Sequence, residues 1–139
     1  MKDISSNLLA VQSIVPILGN NTSEGTGVGV DLAGFDGALM IAHVGISGDT
    51  LSGSVYWTVS FQESDASGSG YANIAATDLE GTQDTVIDDA AEDAVVIQAG
   101  YKGSKRYVRV LMTATGTHTN GTPISAVVIK GRPFHGPVA

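Results

Sequence analysis

The sequence contains no cysteine, which excludes disulfide staples, a thiolate nucleophile and a cysteine-ligated metal. That absence fits a reducing compartment and fits equally a chain that never needed bridges. Charged residues are scarce, at 15% of 139, beside 42% hydrophobic ones, and the length suits one compact domain with no room for a second core. A membrane-length apolar run is missing as well. Ile4 to Ser23 carries no charge, but Gln12, Ser13, Pro16, Asn20 and Asn21 interrupt it, and its apolar part, Leu8 to Leu18, is shorter than the roughly 20 residues a spanning helix needs. Lys2 is cancelled at once by Asp3 and no small-residue cleavage pattern follows, so the expectation is a soluble chain without a secretory leader.

Cations are absent from a long stretch of the chain, and this absence is the most informative. All 14 acidic residues lie at or before Asp93, where the one base is Lys2, a net of −13. From Ala94 onward Lys102, Lys105, Arg106, Arg109, Lys130 and Arg132 stand without an acid, a net of +6. The total of −7 opposes nucleic acid as the main partner, because each phosphate contact would form against a repulsive field. Two readings of the polarity stay open. Either the two parts fold against each other into a mixed surface, or opposite faces meet between copies and make assembly salt-sensitive.

What is present is an alternating β pattern from residue 28 onward. Val28, Val30 and Leu32 alternate with small or polar residues, Phe35-Asp36-Gly37 reads as a turn, and Ala38 to Ile46 as a strand buried on both faces. Ser54 to Gln62 alternates most cleanly, with Val55, Trp57, Val59 and Phe61 on one side; Trp57 is assigned to the core. Short strands are expected near Tyr71 to Ala75 and Thr85 to Ile87, the second inside an acidic connection that reaches Asp93. Val95 to Ala99 and Arg106 to Ala114 read as strands joined by the tight basic connection Gly100 to Lys105, with Val108, Val110, Met112 and Ala114 on one face. Thr115 to Thr122 reads as a hairpin loop, Pro123 to Lys130 as the last strand, and Gly131 to Ala139 as a surface tail that cannot continue a ladder.

The fold class expected is all-β, a jelly-roll-like β-sandwich over residues 23–139, preceded by an extended amino-terminal arm over residues 1–22. In that arm a helical stripe at Ile4, Leu8, Val11, Val15 and Leu18 competes with the extended preference of Val11, Ile14, Val15, Pro16 and Ile17. An apolar arm without a hairpin partner can pack on its own sandwich or add to the sheet edge of a neighbouring copy.

No catalytic constellation emerges from the motifs. Gly45-Ile46-Ser47-Gly48-Asp49 lacks the final glycine of a nucleophile elbow and is read as a turn. Gly25, Gly27 and Gly29, and likewise Gly100 to Lys105, lack phosphate-loop spacing. His43, His118 and His135 lack zinc-site spacing, and His43 is read as a core or interface histidine. Seven carboxylates between Asp78 and Asp93 read as a solvated loop, with a calcium site or a basic partner's dock as rivals. Lys102, Lys105, Arg106 and Arg109, interleaved with Tyr101 and Tyr107, suggest a nucleic-acid stripe, but strand alternation splits the cations between faces, so a protein contact or a solvated edge is favoured.

Three segments carry a resemblance. Phe61 to Asp65, Gly100 to Val110, and Ser125 to Val138 resemble small virion proteins of tailed bacteriophages, several of them capsid cement or decoration proteins with a jelly-roll sandwich. The similarity covers roughly residues 54–138, with Phe134 departing from a basic position. The resemblance implies a non-enzymatic structural protein on the outer surface of the virion head, made in the bacterial cytoplasm, without cofactor or metal. Its implied partners are the major capsid protein and further copies of itself, as a dimer or trimer, with no membrane and no direct nucleic acid. The contact residues expected are Lys102, Lys105, Arg106, Arg109 and Arg132. A carbohydrate-binding or host-attachment module stacking sugars on Tyr56, Tyr71 or Tyr101 is the alternative, and a carboxylate hydrolase built on residues 78–93 a distant third.

Overall fold

The computed structural model describes residues 3–138; Lys2, and Ala139 at the end of the expected tail, lie outside the described residues. After a short 3-10 turn at Ser5–Asn7, the described chain forms ten strands. They are β1 (Leu8–Gly19), β2 (Val30–Asp31), β3 (Phe35–Val44), β4 (Tyr56–Ser64), β5 (Ala72–Asn73), β6 (Leu79–Glu80), β7 (Asp84–Ile87), β8 (Val95–Tyr101), β9 (Tyr107–Thr115) and β10 (Thr122–Pro133). One sheet has the order β1-β10-β3-β8-β6; the second has the order β2-β9-β4-β5, with β7 sharing the β4 edge with β5. Every pairing is antiparallel. Apart from β4 and β5, strands consecutive in sequence thus alternate between layers, which is the interleaving of a jelly-roll sandwich.

Period-two alternation supplies the core. Met40, Ala42 and Val44 of β3 and Ile124, Ala126 and Val128 of β10 face Trp57, Val59 and Phe61 of β4 and Val108, Val110 and Met112 of β9, all buried. The larger of these side chains each contribute roughly 1.5–3 kcal/mol on leaving water. Trp57 lies in the core with no exposed surface, and the shared face of Val108, Val110 and Met112 is buried as the pattern requires.

Several local expectations give way to the topology. Gly100 to Lys105 and Thr115 to Thr122 are crossings from one sheet to the other, because β8 and β10 lie in the first sheet and β9 in the second. The turn placed at Phe35-Asp36-Gly37 falls earlier: Phe35 N–H donates to Leu32 O (3.0 Å) and Gly34 takes φ 86°, after which Phe35 opens β3. The last strand also runs further than expected, since Gly131 pairs with Gly37 and Pro133 with Phe35. Proline is tolerated there because it occupies the strand's final position. His43 is exposed rather than in the core, because its register puts it between the inward residues Ala42 and Val44.

The amino-terminal segment is extended over Leu8–Gly19 and pairs along β10. Register shifts after Gln12 and after Ile14 bend it, so that Ser13 reaches the second sheet: its Oγ donates to Val28 O (3.1 Å) and accepts from Val110 N–H (3.1 Å). Val28 N–H donates to Ser13 O at 2.8 Å, so residues 27 and 28 close this side of the sandwich. Close backbone approach explains Gly25 and Gly27, where a Cβ would lie 2.0 Å from Met112 O and 2.4 Å from Val110 O respectively.

Candidate functional site

The crossings gather side chains at the two ends of the sandwich. The first end holds the β2–β3 turn, the Ser64–Tyr71 loop, the β8–β9 crossing and the tail after β10. Four of the five expected contact residues meet there, and each has an acidic partner from earlier in the chain. Arg106 forks onto Asp31 (3.0 and 2.8 Å), Lys102 pairs with Glu80 (3.4 Å), Arg132 with Asp36 (3.4 Å), and Lys105 with Asp65. Arg109 lies one step further along β9, where its guanidinium bonds Gln62 Oε1 (2.9 and 2.7 Å) and covers the Tyr71 ring at 4.0 Å. The oppositely charged halves of the sequence therefore fold against each other at this end.

Asp31 shows the local strength of this pairing. The Arg106 fork, seconded by the Ala33 amide, pulls its carboxyl down to about 2. Tyr101 anchors the crossing from within: 5% exposed, it donates to Glu63 Oε2 (2.6 Å) and accepts from Lys105 N–H (2.9 Å). Burial, then the hydrogen bond to Glu63, pushes its phenol well above the usual tyrosine range. Tyr101 is thus no platform for a sugar, and Arg109 already covers Tyr71. Sequence reasoning missed the pairing of Tyr101 with Glu63, although both residues stand inside segments it singled out. An open cleft of about 400 Å³ lies between Phe35, Tyr101, Arg106 and Phe134, with Phe134 64% exposed.

The second end is organised by buried polar groups. Asp49 accepts backbone N–H bonds from Thr119 (3.0 Å), Asn120 (2.8 Å) and Gly121 (2.9 Å), and the Asn120 amide in particular holds its carboxyl below the usual range. Trp57 Nε1 donates to Thr122 Oγ1 (3.1 Å), which also bonds Ser47 Oγ (2.9 Å). His118, placed at a loop tip by its polar neighbours, is 6% exposed and stacks on Trp57 with ring centroids 4.9 Å apart. Its Nε2 donates to Thr115 O (3.1 Å), which turns Nδ1 toward Asp49 Oδ2 at 3.8 Å.

Serine, histidine and aspartate therefore gather at this end, but their bonding differs from that of a catalytic triad. The Ser47 hydroxyl pairs with Thr122, and the histidine nitrogen remote from Asp49 is held by a backbone carbonyl instead of the serine. The acidic segment does not form one surface either. Asp78 and Glu80 sit near the first end, Asp84 accepts from Ser60 Oγ (2.7 Å) mid-sheet, and Asp88, Asp89, Glu92 and Asp93 reach the second end. Among the described residues no three histidine or acidic groups converge as a metal site would require, and no helix is long and apolar enough to cross a membrane. Comparison with protein-family models, curated proteins and solved structures finds no match.

Proposed function

We propose that this chain is a structural virion protein of a tailed bacteriophage, a capsid cement or decoration subunit that bridges major capsid protein subunits on the outer surface of the head. One observation supports the reading. Two of the three segments that carry the resemblance meet at the first end, where Tyr101 meets Glu63, Lys105 meets Asp65 and Arg109 meets Gln62, and the end of the third brings Arg132 and Phe134 beside them. They build a rigid, charged surface flanked by the exposed Phe134, without a deep polar pocket. Such a surface suits adhesion. Modest contacts repeated over several capsid subunits accumulate into high avidity without any one strong site.

The test is cosedimentation of the purified protein with expanded empty heads of the phage that encodes it. Pelleting at a fixed copy number is expected. A variant with Lys102, Lys105, Arg106, Arg109 and Arg132 all changed to glutamine, checked for folding by circular dichroism, is expected to lose binding at low salt. Undiminished binding of that folded variant would discard the first end as the contact, and absence of pelleting by the native chain would discard the head location.

A further inference from the structure

We infer that His118 is a pH-operated latch on the β9–β10 crossing: with a second proton on its ring it ties the crossing to Asp49, and without that proton it lets the crossing loosen. The inference does not depend on the capsid reading. The ring is fully buried, with 0% of its side-chain surface exposed, and its Nδ1 has no hydrogen-bond partner among the described residues. Thr115 O can only accept, so the proton of the neutral ring sits on Nε2 and Nδ1 is left as a bare acceptor. What Nδ1 faces is a second acceptor, Asp49 Oδ2 at 3.8 Å. An imidazole set between two oxygen acceptors is complete only as a cation, which donates at both nitrogens.

Asp49 keeps one place open for that second donor. Its Oδ1 already accepts from the Thr119 and Asn120 amides, and its Oδ2 from the Gly121 amide alone, so a lone pair is free on the oxygen nearest the ring. Trp57 supplies a further wall: its indole lies 4.9 Å from the imidazole, centroid to centroid and tilted by 45°, and an indole face attracts a cation. Burial works against the charge, because a desolvated imidazolium without a carboxylate partner is costly. Proton uptake and closure of the 3.8 Å gap to hydrogen-bond distance are therefore one event, which draws the crossing onto Asp49.

Among the described residues the other charged groups of this end are acids on other elements. Asp93, ahead of β8, accepts from Ser47 N–H (3.0 Å), and Ser47 Oγ bonds Thr122. Glu24, between β1 and β2, accepts from Asn20 N–H (2.6 Å), and Asn20 Oδ1 packs against Gly121. Asp88, Asp89 and Glu92 serve their own connection, where Glu92 accepts from Asp88 N–H (3.2 Å) and Asp89 from Ala91 N–H (2.8 Å). None of these acids stands within ion-pair distance of His118, and no lysine or arginine pairs with Asp49. The Asn120 amide holds the Asp49 carboxyl below the usual range, so Asp49 is ionised throughout the range in which imidazoles change charge.

Trp57 is the single tryptophan of the chain, and an imidazolium stacked on an indole quenches its fluorescence more strongly than a neutral imidazole does. Fluorescence of the full chain is expected to fall in one reversible step between about pH 8 and about pH 5, the range of histidine titration. Protection of the Thr119, Asn120 and Gly121 amides against hydrogen exchange is expected to rise roughly ten-fold across the same step, as a charge-assisted bond is added at Asp49. His118→Gln is expected to abolish both effects, whereas His43→Gln and His135→Gln, at exposed positions, are expected to leave both in place. Ring-nitrogen NMR shifts of the native chain read the same event without a substitution: Nε2 is expected to be protonated throughout, and Nδ1 to gain its proton within the step. An Nδ1 that stays unprotonated down to about pH 5, a step that survives in folded His118→Gln, or amide protection that does not rise as the ring takes up its proton would overturn the inference.

Discussion

The two ends of the sandwich are fastened in different ways. At the first end every cation of the described chain other than Arg109 and Lys130 sits in an exposed pair with a carboxylate, and Lys130 itself lies over the Phe35 ring at 4.5 Å while donating to Asp31 O (3.1 Å). At the second end no lysine or arginine among the described residues pairs with Glu24, Asp49, Asp88, Asp89, Glu92 or Asp93, and closure depends on the largely exposed bonds of three backbone amides to Asp49 and on the buried bond from Trp57 to Thr122. Exposed pairs are worth little because water and salt screen both charges. The buried bond from Trp57 to Thr122 is costly to lose, because a desolvated donor would stay unpaired. The difference teaches that exposed ion pairs add little to the stability of the first end, while the second end is fastened by a network whose central bond, from Trp57, is buried.

Substitutions can break this contrast in order of effect. Trp57→Ala empties the centre of the second end and is expected to lower unfolding free energy by about 3–5 kcal/mol in urea denaturation. Asp49→Ala leaves three backbone N–H groups without their acceptor, an expected loss of about 2–3 kcal/mol, with faster hydrogen exchange at residues 119–121. Tyr101→Phe, the strongest perturbation foreseen at the first end, is expected to cost about 1 kcal/mol, as it removes one hydroxyl and two hydrogen bonds. Lys102→Gln and Arg132→Gln are each expected to change stability by less than about 0.5 kcal/mol. Equal costs at both ends would abolish the distinction.

Acid sharpens it further. The carboxyl of Asp31 is lower when folded, at about 2, than its ordinary 3.8. Its contribution is therefore complete above pH 3.8 and is lost as the pH falls through about 2. Asp31→Asn is expected to flatten the stability profile across that window in an acid titration followed by tryptophan fluorescence. An unchanged profile would deny the Arg106 fork a role in folding.

Much of the fold was legible along the chain. Alternation at Val55 to Phe61 and Val108 to Ala114 marked the inward faces, because a half-buried strand must present every second side chain to the core. Partnership between strands was not legible, and the two supposed local connections at Gly100 to Lys105 and Thr115 to Thr122 turned out to cross between layers. His43 and His118 exchanged environments for the same reason: their burial depends on strand register and on a loop folding over Trp57, neither of which is encoded by immediate neighbours. The cations of the first end were visible as a cluster, but their acidic partners lie 22 to 96 positions away.

The sequence by itself determined that this is a β protein without cysteine chemistry, with a tryptophan core and a division of charge along the chain, because composition and period-two patterning act locally. The tertiary structure alone decided that the division is cancelled at one end and left standing at the other. Jelly-roll interleaving sets residues distant in sequence side by side, and only that placement determines which charges meet and which surfaces are left uncovered.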